Sequence, residues 1–181
     1  MRAGVAWVGS AVALAATTAA AQACGPMATI AFYEGSPSDR FEIANNSSGA
    51  WEVAHVVLGL EGSAGALIFD TLGGGPGTSM YQPFAAVPSE VEAVVPRELA
   101  DGERVITLKF AGFRPGAMFA FTIDVDDTLV YSDLGRMRVT ESEIEGAVAK
   151  ALFRGADGQE MTLDGHFGPD GIAIVSGLAC S

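Results

Sequence analysis

Turn-forming residues interrupt this chain so often that only short segments are left to build regular structure. Asn45-Asn-Ser-Ser-Gly49, Gly73-Gly-Gly-Pro-Gly77, Arg114-Pro-Gly116 and Gly168-Pro-Asp-Gly171 each combine residues that favour tight reversals. Between these breaks lie runs rich in β-branched and aromatic residues, at 29–33, 40–45, 51–60, 66–70, 91–95, 104–111 and 117–125. At least two further strands are expected after Gly165. Many short strands at close spacing predict an all-β fold, an antiparallel β-sandwich of jelly-roll or Ig-like type in a single domain. Residues 141–153 are ambiguous. Ile144, Val148, Ala151 and Leu152 fall at helical spacing, whereas Gly146 and the Gly155-Ala-Asp-Gly158 turn suit a hairpin, and the strand reading is preferred.

The alternation is clearest around Phe113. Ile106, Leu108 and Phe110 alternate with Val105, Thr107 and Lys109, and Phe119, Phe121, Ile123 and Val125 alternate with Met118, Ala120, Thr122 and Asp124. Period two places the first set of each run on the core face. A hairpin centred on Phe113-Arg114 would set Leu108 opposite Phe119 and Ile106 opposite Phe121. On the outer face it would set Glu103 against Asp124 and Asp101 against Asp126. Like charges facing each other across strands are destabilising. Five acids, Asp101, Glu103, Asp124, Asp126 and Asp127, would then gather at one end, screened by water or neutralised by a cation.

The first residues read as a targeting segment. Arg2 supplies a positive charge, residues 3–16 are apolar, and small residues follow. This order is that of a secretory signal peptide, residues 1–23, with cleavage after Ala21 or Ala23. The apolar run is short for a membrane span, so the mature chain is not expected to insert into a membrane. Residues 24–181 then form the sandwich domain of a secreted or periplasmic protein. The only cysteines, Cys24 and Cys180, stand at the two ends of that mature chain. In an oxidising compartment they are expected to pair, and closing so long a loop contributes up to ~5 kcal/mol in the chain-entropy model. The formal net charge of −12 argues against nucleic acid as a partner, because neutralising phosphates needs clustered Lys and Arg. It is compatible with divalent cations.

Candidate sites concentrate in the acidic runs. Asp124-x-Asp126-x-Thr128 after an apolar strand resembles the first motif of the haloacid-dehalogenase-like phosphatases. That resemblance implies Asp124 as nucleophile, Asp126 as general acid/base and a Mg²⁺ ion. The family opens its domain with this strand and needs a long α/β region afterwards; here about 50 glycine-rich residues follow. The alternative is calcium, a hard cation that takes several oxygen ligands, from Asp124, Asp126 and Asp127 with Asp101, Glu103 or Asp133 nearby. A solvated acidic edge that discourages edge-to-edge pairing is the plainer account of the same residues. Residues 73–79 contain Thr78 and Ser79 but no Lys, so they read as a loop and not as a phosphate cradle. His55 and His166 show no metal-ligand spacing. No Gly-x-Ser-x-Gly surrounds a serine, so no catalytic residue is assigned.

A second resemblance covers the mature chain in order. Residues 32–41 (Phe-Tyr-Glu-Gly-Ser-Pro-Ser-Asp-Arg-Phe), Leu67-Ile-Phe-Asp70, Gln82-Pro-Phe84 and the run from Phe119 to Thr128 resemble small secreted bacterial proteins of the "aggregation factor core" family. These are named for their similarity to the core protein of sponge aggregation factors, which mediate calcium-dependent, carbohydrate-linked cell adhesion. The resemblance implies a secreted or cell-surface adhesion or matrix β-domain, a Ca²⁺ link, and an extracellular polysaccharide or surface protein as partner. It implies no catalytic residues.

Overall fold

The computed structural model describes residues 25–94, 99–131 and 135–177. The expected signal peptide, both cysteines and Asp133 lie outside the described residues. Strands account for the regular structure, and no helix occurs among the described residues. In chain order they are β1 (Met27–Tyr33), β2 (Asp39–Asn45), β3 (Glu52–Gly59), β4 (Ile68–Asp70), β5 (Ala85–Ala86), β6 (Glu92–Val94), β7 (Val105–Phe113), β8 (Met118–Asp126), β9 (Val148–Arg154), β10 (Glu160–His166) and β11 (Ile172–Ser176). One sheet runs β11-β1-β2-β8-β4, with β5 also paired to β8, and the other runs β10-β9-β3-β7-β6. Every pairing is antiparallel. The expected β-sandwich is the observed architecture.

The core is the space between the sheets. Ile30, Phe32, Phe41, Ile43, Phe69 and Phe121 enter from one side, and Val56, Leu58, Ile106, Leu108 and Phe153 from the other, all essentially fully buried. Phe121 stacks on Phe41 with ring centroids 5.1 Å apart, and Phe84 stacks on Phe121 at 4.8 Å. Ambiguous residues 141–153 split into a turn over 141–146 and strand β9, which forms a hairpin with β10 through the turn at Gly155. Strand β10 begins before Gly165, so only β11 lies wholly beyond that residue among the described residues.

The largest correction concerns residues 105–126. The expected core faces are right: Ile106, Leu108, Phe119, Phe121, Ile123 and Val125 are all buried, though Phe110 is only partly so. The expected hairpin is absent. Strand β7 pairs with β3 and β6, while β8 pairs with β2, β4 and β5. The connection at 114–117 is an arch from one sheet to the other. Its floor is buried Asn45, whose side-chain amide donates to the carbonyls of Trp51 and Phe113, each at 2.9 Å. Two apolar-faced strands can be buried as neighbours in one sheet or as opposites across the core, and alternation is the same in both cases. As a result Glu103 does not face Asp124, nor Asp101 face Asp126.

Replacing Phe121 by Ala should lower unfolding stability by ~3–5 kcal/mol, since it removes a ring packed on two others. Met118→Ala, on the exposed side of the same strand, should change it by no more than ~0.5 kcal/mol. Urea midpoints of the two variants test this.

Candidate metal centre

Because β8 turns Phe119, Phe121, Ile123 and Val125 inward, period two turns Asp124 and Asp126 to the outer face of its sheet. Strand β4 runs antiparallel beside this end of β8, with Asp70 directly opposite Asp124 and Ile68 opposite Asp126. Directly opposed residues share a face, so Asp70 joins the two aspartates. One oxygen from each of the three carboxylates lies within 4.8 Å of those from the other two.

This outer face is not open to water. Asp70 and Asp126 are 0 % exposed and Asp124 is 6 % exposed. The loop at 71–81, between β4 and β5, covers them. Its Thr78 amide donates to Oδ2 of Asp70 and to Oδ2 of Asp126. The cover sits so close that a side chain on Gly77 would overlap the Asp70 carboxylate, and one on Gly75 the Asp101 carboxylate. Glycine at 75 and 77 thus matches the close approach of the loop backbone to the acids. The loop is pinned, not free, and its amide addresses carboxylates, which would repel a phosphate.

Asp101 reaches the same region from the turn before β7. Its Oδ1 accepts from the amides of Thr71 and Leu72 at 2.8 and 3.1 Å. Four carboxylate oxygens here, Asp70 Oδ1, Asp101 Oδ2, Asp126 Oδ1 and Asp127 Oδ2, are buried without a hydrogen-bond partner among the described residues. A buried, unpartnered acceptor costs about 1–3 kcal/mol, and more when charged. Desolvation, reinforced by the neighbouring carboxyl groups of Asp126 and Asp101, pushes Asp70 up to about 7. Desolvation and the charge of Asp126 do the same to Asp124. Burial also raises Asp101, but the Thr71 and Leu72 amides outweigh it and hold the group below its ordinary value. Buried Asp39 accepts from the amides of Gly35 and Val125; even so, desolvation and the charges of Asp124 and Glu34 raise it to about 7.

The sequence-derived acids thus part company. Asp124 and Asp126 form the centre, and Asp101 flanks it through Asp70. Asp127 is buried but lies outside the triad; its Oδ1 accepts from the Leu129 amide at 3.0 Å. The Glu103 side chain is exposed, and its main-chain carbonyl accepts from Phe69 instead. The solvated acidic edge is overturned for Asp124, Asp126 and Asp127, all of which are buried. Asp70 was not among the expected ligands. Its signal was present: like β8, β4 is an apolar run ending in Asp beside a glycine-rich break. His55 is half-buried on β3 and His166 exposed at the end of β10. The strand bearing Asp124-x-Asp126 lies inside an antiparallel sandwich, not at the start of a doubly wound α/β sheet, so the phosphatase frame is absent from the described residues. Comparison with protein-family models, curated proteins and solved structures finds no match to this chain.

The donor set is all carboxylate oxygen, which suits a hard divalent cation. Without one, protons must take its place. Asp39, Asp70 and Asp124 hold protons up to about 7 when folded but release them near 3.8 when unfolded. The folded state binds more protons between those values, so these groups contribute stability in full below 3.8, and it is lost as pH rises through about 7. In chelator, the denaturation midpoint should therefore fall between pH 5 and pH 8, and Asp70→Asn should flatten that fall. A midpoint that rises over this range would contradict the assignment.

Proposed function

We propose that the mature chain is a secreted or periplasmic adhesion or matrix module whose sandwich is completed by calcium at Asp70, Asp124 and Asp126, with Asp101 alongside. The observation that carries this reading is a buried triad, Asp70, Asp124 and Asp126, with one oxygen of each carboxylate within 4.8 Å of those from the other two, in which Asp70 Oδ1 and Asp126 Oδ1 have no hydrogen-bond partner. A bound cation supplies the positive charge that lets these acids ionise without repelling one another. The adhesion role rests on the resemblance of the mature chain to the aggregation factor core proteins, and the partner it implies is an extracellular polysaccharide or a surface protein.

The Cys24–Cys180 disulfide belongs to the same proposal. Met27 pairs with Ser176 in the β1–β11 ladder, and the Gly177 amide donates to the Pro26 carbonyl. The described ends, each within three residues of a cysteine, are therefore neighbours. Such a bond would close the sandwich at that edge.

Calcium should raise the melting temperature. An ion that binds only the folded state stabilises it by about 2.7 kcal/mol at a hundred times its dissociation constant. Asp126→Asn should abolish the rise, and no shift of the wild-type protein at millimolar calcium would remove the calcium claim. Turnover of an aryl phosphate, lost in Asp124→Asn, would replace the adhesion reading with hydrolysis. Thiol titration of the exported protein should find no free cysteine, and reductant should lower the melting temperature.

A further inference from the structure

The loop over the triad is held from outside as well as from beneath. Beneath, the Thr78 amide is bound to Asp70 and Asp126. Outside, Arg136 follows β8 in the chain and donates from Nη2 to the Pro76 carbonyl at 2.9 Å and from Nε to the Asp127 carbonyl at 3.1 Å. The Asp127 amide donates back to the Arg136 carbonyl at 3.3 Å. One guanidinium therefore ties the crest of the loop to the end of the strand that carries Asp124 and Asp126. The Pro76 ring is wedged so close to Gly102 that a side chain there would overlap it. With the loop in this position Asp70 and Asp126 have no exposed surface.

We propose that residues 71–78 form a gate latched by Arg136, and that the site behind it takes its cation stripped of water and so selects calcium over magnesium. The proposal rests on the calcium reading above. Magnesium gives up water reluctantly and usually keeps several waters, whereas calcium accepts six to eight oxygens in flexible geometry. With Asp70 and Asp126 fully buried, Asp124 nearly so, and the Thr78 amide on an oxygen of Asp70 and of Asp126, the closed loop leaves the acids no face on water from which a hydrated ion could bind. Arg136 touches main-chain carbonyls alone in this role, so it is a positioning residue and not a ligand.

Titration calorimetry of the mature protein with each ion, and stopped-flow release of calcium into a fluorescent chelator, test both parts. Calcium should bind at least 100-fold more tightly than magnesium. Arg136→Gln should release calcium at least tenfold faster while its affinity falls less than the release rate rises, because a loosened gate speeds entry too. Equal affinities for the two ions would overturn the selection. Equal release rates, or a loss of affinity as large as the gain in release rate, would overturn the latch. A wild-type protein that binds neither ion sinks the underlying site, a failure visible before any variant is made. A measurement on the wild type alone guards against misfolding of the variant. The Thr78 amide should exchange with solvent no faster than calcium leaves, and faster exchange would overturn the gate.

Discussion

The structure turns on one electrostatic constraint, three aspartates brought together out of water on the outer face of a sheet. Two unit charges 4 Å apart repel by about 1 kcal/mol in bulk water and by about 4 kcal/mol at the effective dielectric near a protein surface. The cluster of Asp70, Asp124 and Asp126 therefore calls for a proton or a cation among the three. Their shared geometry is also what holds the surrounding chain in place. Strand β4 has only three residues, its last is Asp70, and the loop that follows is fastened by Thr78 to two of the three acids. Whatever neutralises the cluster thereby decides how firmly β4 and the loop are seated.

Strand β8 links this constraint to the core. Its inward face packs Phe119, Phe121, Ile123 and Val125 against both sheets, and its outward face carries Asp124 and Asp126. At the Asp124–Asp126 end of the strand both faces are buried, one by the core and the other beneath loop 71–81. Apolar packing against β2 fixes where the strand lies, and that position fixes the spacing of its carboxylates. The site is thus positioned by a strand packed on the core and closed by a loop fastened to the acids themselves.

Local pattern carried much of the fold. Alternation over 105–125 identified the buried side chains, because period two depends only on which face of a strand is apolar. It carried no information on partners. An arch between sheets and a hairpin within one present the same alternation, and the arch is braced by Asn45, far from 114–117 in the chain. The site shows the same limit. Asp124 and Asp126 stand out as neighbours in the chain, whereas Asp70 enters only through the β4–β8 pairing. Asp101 was expected from a register that does not exist, and reaches the cluster by the turn before β7. Glu103, expected on the same grounds, points to solvent. Burial was misjudged for a physical reason as well. Charged side chains are almost never fully buried unless paired, and this rule fails most readily at functional sites.

Buried ionic groups are a poor means of stabilisation, and well-packed apolar side chains of similar volume often do as well or better. The cluster does not resemble a satisfied polar network, in which every acceptor meets a donor. Asp39 shows what satisfaction looks like in this fold, with each carboxylate oxygen on a main-chain amide. Asp70 and Asp126 each use one oxygen on Thr78 and leave the other free, and the free oxygens belong to groups drawn together by strand register. An arrangement that costs stability, and that gathers carboxylates with unpartnered oxygens in one buried cluster, is better explained by something that binds there than by the fold's own needs.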